Sequence, residues 1–98
     1  MNPSPPSERL GRIRALLEAA FVPEALDVVD DSARHAGHAG ARDGRGHFNV
    51  AIVSGAFAGL SPIARHRAVY AALGDMMTTD IHALSIRAET PTEAAART

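Results

Sequence analysis

The sequence predicts an α+β domain in which helices cover one face of a three-stranded mixed sheet, in the order α-β-β-α-β. Apolar residues recur at helical spacing after Ser7 and again after Ser61, whereas apolar residues alternate with others along 47–54, as in a strand. A loop joins the first two strands, which are therefore expected to pair antiparallel. A helix separates the last two, which can pair parallel through a right-handed crossover.

The composition limits the classes of function. The chain has 98 residues, no Cys and a net charge of −1, so it is expected to form one small domain without disulfides or thiolate ligands. It lacks the charge excess that is typical of nucleic-acid binders. No apolar run reaches about 18 residues, and the first residues lack the apolar segment of a secretory signal. We therefore expect a cytoplasmic protein that does not span a membrane.

The first half of the chain predicts a helix, a strand and a long loop. Residues 1–6 are rich in Pro and are expected to be flexible. Ser7 can cap a helix that Pro23 ends, and a strand is expected over 24–30. The apolar face of the helix would consist of Leu10, Ile13, Leu16, Leu17, Ala20 and Phe21. Residues 32–46 have no apolar period and contain His35 and His38, and loops of this length are usually functional or disordered.

The second half predicts a turn, a long amphipathic helix and a strand. Gly59 allows a sharp turn, Ser61 can cap the helix, and Pro62 suits its first position; a short helical turn before Ser61 is also compatible with the sequence. The predicted strand over 81–86 opens with His82. The domain would span 7–88, with a flexible tail over 89–98. The apolar face of the helix would consist of Ile63, His66, Val69, Tyr70, Leu73, Met76 and Met77.

This topology brings three histidines to one end of the sheet. His35 lies early in the loop that joins the first two strands, His47 opens the second strand, and His82 opens the third. Neighbouring strands are about 4.8 Å apart, so a loop imidazole could reach His82. Imidazoles suit iron, zinc and copper, but two of them make an incomplete site. The pattern therefore favours a half-site that another molecule completes.

Each histidine also has a structural interpretation. A histidine that opens a strand more often bonds a backbone group than a metal, which is the alternative for His82. His38 is preferred as a solvated loop residue, although a flexible loop could present it in place of His35. His47 is expected to be structural or to support a ligand, and His66 to be a core histidine with one hydrogen bond.

Several short motifs resemble those of the BolA-like proteins. They are Phe57-x-Gly59-x-Ser61, Arg65-His66-Arg67 and Ile81-His82-Ala83-Leu84, together with Asp30-x-Ser32-x-x-His35. The resemblance runs from about residue 8 to residue 88. It implies a relative of the type II KH fold, αββααβ.

The same resemblance implies a function in iron–sulfur cluster trafficking or iron homeostasis. Proteins of this family are associated with monothiol glutaredoxins, with which they share a [2Fe-2S] cluster. The glutaredoxin cysteine and a glutathione sulfur would ligate one side. His82 and His35, with His38 as the alternative, would ligate the other. The isolated chain would hold no cluster.

Two other classes of function compete with this one. The fold analogy and some BolA-like proteins suggest DNA binding and transcription regulation, but the turn at 59–62 lacks the second glycine of a KH GXXG loop and any Lys or Arg. Arg65 and Arg67 are expected to be solvent-accessible and could contact phosphate, an acidic partner or glutathione; a solvated pair is the alternative. Ser61 near His66 could be a nucleophile, but a cap explains it more simply, so no enzyme is predicted.

Overall fold

Four helices and three strands make up the part of the chain that this computed structural model describes, residues 5–32 and 44–97. A 3-10 turn at Gly55–Phe57 precedes the second helix. The elements in chain order are α1 (Pro6–Phe21), β1 (Ala25–Asp30), β2 (Gly46–Val53), α2 (Pro62–Leu73), α3 (Met76–Thr79), β3 (Ile81–Glu89) and α4 (Pro91–Arg97).

The sheet has the predicted topology. Its order is β1-β2-β3, β1 pairs antiparallel with β2, and β2 pairs parallel with β3. Alternate side chains of β2 are buried, whereas Asn49, Ser85 and Arg87 are exposed on the opposite face. α1 contacts β1 and α2, and α2 contacts β3. The α+β class, with helices on one face of a three-stranded mixed sheet, is therefore confirmed.

The core lies between this helical layer and the sheet. The rings of Phe21 and Phe57 lie 5.0 Å apart and join α1 to the turn before α2. Burial of one such side chain stabilises the fold by about 1.5–3 kcal/mol. The buried apolar residues are Ile13, Leu17, Val28, Phe48, Val50, Ile52, Phe57, Val69, Leu73, Met76 and Ile81.

The start of α1 differs from the prediction. Ser7 lies inside the helix and does not cap it, because the N-cap is Pro5 and Pro6 takes the first helical position. The fixed φ of proline suits that position, so the helix begins without a side-chain cap. The chain leaves α1 through Val22, whose φ of 44° is left-handed, just before Pro23.

The long amphipathic helix predicted after Ser61 differs from the structure in its length and in its buried face. Gly74, with a φ of 56°, ends α2, and the separate short helix α3 follows it. The predicted apolar face is partly wrong, because Ile63 is 64% exposed and Tyr70 is 40% exposed. Arg65, Val69 and Leu73 recur at a spacing of four residues and have low exposure, so the buried side of α2 includes Arg65 and excludes Ile63.

The segment predicted as a flexible tail over 89–98 contains regular secondary structure in residues 89–97. β3 extends to Glu89, and residues 91–97 form α4. A capping box begins this helix: the Glu93 N–H donates to the Thr90 hydroxyl at 3.2 Å, and the Thr90 N–H donates to the Glu93 carboxylate at 2.8 Å. Arg97 donates to Glu89 at 3.0 Å. Polar contacts therefore hold a helix in which no residue is buried.

Candidate functional site

A β-bulge at the start of β3 presents His82 to solvent. Gly46 of β2 pairs with Ile81 and His47 pairs with Ala83, so His82 is the extra residue. Ile81 is buried, whereas His82 and Ala83 are both exposed. Bulges of this kind redirect a side chain. The bulge therefore keeps Ile81 in the core while its neighbour points outward.

The imidazole of His47 lies beside that of His82. Their ring centroids are 5.1 Å apart and their planes are inclined by 48°. His47 is half-buried, and its backbone is fixed by two hydrogen bonds, from its N–H to the Ser32 hydroxyl at 3.1 Å and to its carbonyl from the Asp31 N–H at 2.7 Å. Topology had predicted that the first residues of β2 and β3 meet, and these two histidines do. His35 and His38 lie outside the described residues.

Arg45 contacts the outward imidazole. Its Nη2 lies 3.2 Å from Nδ1 of His82, and its Nη1 lies 3.5 Å from the Thr78 carbonyl oxygen. The next residue is anchored, because the Gly46 N–H donates to the Asp80 carbonyl at 2.9 Å. The sequence did not single out Arg45. Its position two residues before a histidine gives no signal, since the contact depends on the pairing of β2 with β3.

A buried ion pair lies under the same end of the sheet. Nε of Arg9 on α1 is 3.6 Å from Oδ2 of Asp80, and the Asp80 side chain is fully buried. The Thr79 hydroxyl donates to the other carboxylate oxygen of Asp80. Asp80 lies two residues before His82. This pair therefore joins the start of α1 to the point at which β3 begins.

Two imidazoles lie side by side at this end of the sheet. Among residues 5–32 and 44–97, no group of three or more His, Cys, Asp or Glu could hold a metal ion. His82 offers one exposed imidazole and His47 supports it from beside, while the whole chain contains no Cys. Iron–sulfur clusters need four ligands, usually thiolates. The described donors therefore suit a centre whose remaining ligands come from elsewhere.

The turn into α2 has the predicted form. Gly59 has a φ of 79°, which favours glycine, and the Ala64 N–H donates to the Ser61 hydroxyl at 3.1 Å. The cap interpretation of Ser61 is confirmed. Pro62 begins the helix as expected. His66 is half-buried on α2 and is not the core histidine that the pattern predicted.

Arg65 was predicted to be solvent-accessible, but its side chain is largely covered. Its side chain is 13% exposed; Nη1 donates to the Ala88 carbonyl at 3.0 Å, and the guanidinium donates to both carboxylate oxygens of Glu93, at 2.6 and 3.1 Å. The bonds to Glu93 raise the pKa of Arg65 and, with the Thr90 N–H, lower the pKa of Glu93 to about 2. Arg65 therefore anchors α4, whereas Arg67 is exposed.

The family model described as BolA-like protein matches residues 17–93. The chain belongs to the BolA-like protein family. It is 49% identical over 87 residues to SufE-like protein 1 of Arabidopsis thaliana. The matched stretch covers 84% of this chain and 24% of that protein. It is 46% identical over 81 residues to BolA-like protein 1 of Mus musculus. That match covers 83% of this chain and 57% of the mouse protein.

The structural comparison agrees with the family assignment. The BolA domain of SufE1 from Arabidopsis thaliana superposes with a TM-score of 0.77 at 47% identity, over 87% of this chain and 94% of that one. The solution structure of BolA1 from Mus musculus gives a TM-score of 0.76 at 39% identity, over 99% of this chain and 74% of that one. This BolA-like chain thus spans a quarter of one curated relative and less than three fifths of the other.

In the described part of this BolA-like chain, no helix is long and apolar enough to cross a membrane. Two plant relatives carry organelle names, SufE-like protein 1, chloroplastic/mitochondrial, and a chloroplastic BolA1 at 44% identity. A cytoplasmic location stays a prediction.

Proposed function

We propose that this BolA-like chain is a non-enzymatic partner of a monothiol glutaredoxin and supplies histidine to a [2Fe-2S] cluster that the two proteins share. The observation that carries the proposal is the outward imidazole of His82, presented by the bulge beside His47 in a chain without Cys. A cluster held jointly needs sulfur from the other partner, which a glutaredoxin cysteine and glutathione would supply.

Ligand chemistry supports a shared cluster over a closed site. A single exposed imidazole, even with a second ring 5.1 Å away, leaves a metal centre with open positions. Mixed thiolate and imidazole ligation occurs in Rieske centres, where two histidines replace two cysteines on one iron. His82 would be one such ligand. A loop histidine, His35 or His38, remains the proposed second ligand.

The names of relatives support the proposal. SufE-like protein 1 carries a BolA domain that is 47% identical to this chain.

Exposed Arg67 is proposed to contact the partner, its glutathione or another acidic group, because it is an exposed cation on α2 beside the exposed apolar residues Ile63 and Tyr70. Arg65 is removed from this role, since Glu93 holds it.

The test is a titration of a cluster-loaded monothiol glutaredoxin with this protein, followed by visible absorption and circular dichroism. Wild type is expected to change both spectra as a histidine replaces a sulfur ligand, and His82→Ala is expected to abolish that change. His66→Ala is the matched control, because it removes a half-buried histidine from α2. Wild-type spectra and affinity in His82→Ala would show that this residue is not a ligand.

DNA binding is the second candidate function. A relative from Escherichia coli, 42% identical over 79 residues, is named a DNA-binding transcriptional regulator. Exposed Arg67 is the α2 cation that could contact phosphate. A salt-dependent mobility shift of duplex DNA at physiological ionic strength, lost in Arg67→Ala, would favour this function. No shift at any salt concentration would count against it.

A further inference from the structure

The contact between Arg45 and His82 fixes which nitrogen of the imidazole carries the proton. Nη2 of Arg45 lies 3.2 Å from Nδ1 of His82. A guanidinium has only donor hydrogens and keeps its charge in proteins, so Nδ1 must accept with its lone pair. In this arrangement the ring hydrogen lies on Nε2. Neither ring nitrogen is then available as a ligand.

Either mode of ligation by His82 requires Arg45 to leave. A metal centre that binds Nδ1 takes the lone pair that Arg45 now occupies. A centre that binds Nε2 moves the ring hydrogen to Nδ1, where it would face the hydrogens of the guanidinium. We propose that Arg45 is a positioning residue that holds His82 in a non-ligating state until a metal centre displaces it, an inference that rests on the proposed ligand role of His82.

The surroundings of Arg45 allow it to be displaced without unfolding the domain. Its contact from Nη1 to the Thr78 carbonyl is 3.5 Å long, and this contact and the one with His82 are exposed. The backbone on one side is anchored, because Gly46 is bonded to Asp80. On the other side, Gly44 has a φ of 81°. Departure of the Arg45 side chain therefore leaves the β2–β3 pairing intact.

The expected effect on affinity follows from one exposed hydrogen bond. Removal of the competing donor should tighten binding of cluster-loaded monothiol glutaredoxin about two- to tenfold. Arg45→Met keeps most of the side-chain volume and removes both donors and charge. Arg12→Met, at an exposed position of α1, is the matched control for loss of one positive charge and should leave affinity unchanged.

The first measurement tests the contact without any partner. In wild type, the imidazole 15N resonances of His82 should show a hydrogen-bonded acceptor at Nδ1 and a protonated Nε2. Arg45→Met should move the Nδ1 resonance towards that of an acceptor that makes no hydrogen bond. Arg12→Met should not. An unmoved Nδ1 resonance in Arg45→Met overturns the proposal by itself.

The second measurement tests the competition. The gain in affinity of Arg45→Met should disappear in the double variant Arg45→Met/His82→Ala, because no ligand remains to be released. An equal gain in both backgrounds, or no gain in either, would overturn the role of Arg45. If His82→Ala alone binds and ligates like wild type, the proposed function fails, and the role of Arg45 fails with it. If His82→Ala loses the spectral change but Arg45→Met leaves the Nδ1 resonance unmoved, only the role of Arg45 fails. The two failures are therefore distinguishable.

Discussion

Asp80→Ala is expected to cost this domain a large part of its stability. Arg9 and Asp80 are 8% and 0% exposed, and their closest charged atoms are 3.6 Å apart. At an effective dielectric constant of about 20, two unit charges at that distance attract by about 5 kcal/mol. Desolvation offsets part of this attraction in the intact pair. Loss of one partner leaves a buried charge alone and typically costs about 3–5 kcal/mol.

That loss can be compared with the total stability. A domain of 98 residues is expected to have a free energy of unfolding of about 5–15 kcal/mol. Urea unfolding followed by far-ultraviolet circular dichroism should therefore show the midpoint of Asp80→Ala lowered by about 2 M or more, for an m-value of about 1–1.5 kcal/mol/M. Asp75→Ala is the control, because it removes an exposed carboxylate from the same segment between α2 and β3. It should change the free energy of unfolding by less than about 0.5 kcal/mol.

A double-mutant cycle separates the ion pair from packing. Arg9→Met keeps a long side chain but removes the charge, and Arg9→Met/Asp80→Ala removes both charges. The double variant should be more stable than the sum of the two single losses predicts. A loss below about 1 kcal/mol in Asp80→Ala, with additive effects in the cycle, would mean that the pair does not hold α1 to the start of β3.

Three further outcomes follow from contacts in the described residues. Ser61→Ala should lower the free energy of unfolding by about 1 kcal/mol in urea titrations, because the Ala64 N–H loses its capping acceptor. Gly46→Ala should destabilise by about 1–3 kcal/mol in the same assay, because its Cβ would lie 2.7 Å from a ring carbon of Phe48. The pKa of Glu93 is lowered from 4.5 to about 2, so the stability that its carboxylate gives α4 is present above about pH 4.5 and is lost as the pH falls through about 2. Amide hydrogen exchange of α4 should show this loss in wild type and not in Glu93→Gln, and pH-independent protection of wild-type α4 would contradict it.

The sequence predicted those features that depend on local pattern. Alternation identified β2, the Gly59–Ser61–Pro62 sequence identified the start of α2, and strand connections predicted the antiparallel and parallel pairings. Because the pairings were correct, the convergence of His47 and His82 at one end of the sheet was predicted as well. These features need no knowledge of distant side chains.

The features that sequence reasoning missed depend on contacts between distant residues. Arg65 pairs with Glu93 across 28 positions and thereby holds a helix in which no residue is buried. The Thr90-x-x-Glu93 spacing was a signal for that helix, since it is the pattern of a capping box. The split at Gly74 could have been suspected from the glycine itself. Nothing in the sequence pattern pointed to the contact of Arg45 with His82, because these residues are 37 positions apart and meet only through the pairing of β2 with β3.

The extra residue in β3 places the side chain of position 82 outside the core. Ile81 fills the interior and Ala83 resumes the ladder opposite His47, so the side chain between them is exposed and contacts Arg45 and the His47 ring instead of the core. Replacement of an exposed residue of this kind changes stability by no more than about 0.5 kcal/mol. An imidazole at position 82 is thus not required for the protein to fold, and the loss of any activity in His82→Ala can be assigned to the chemistry of the ring.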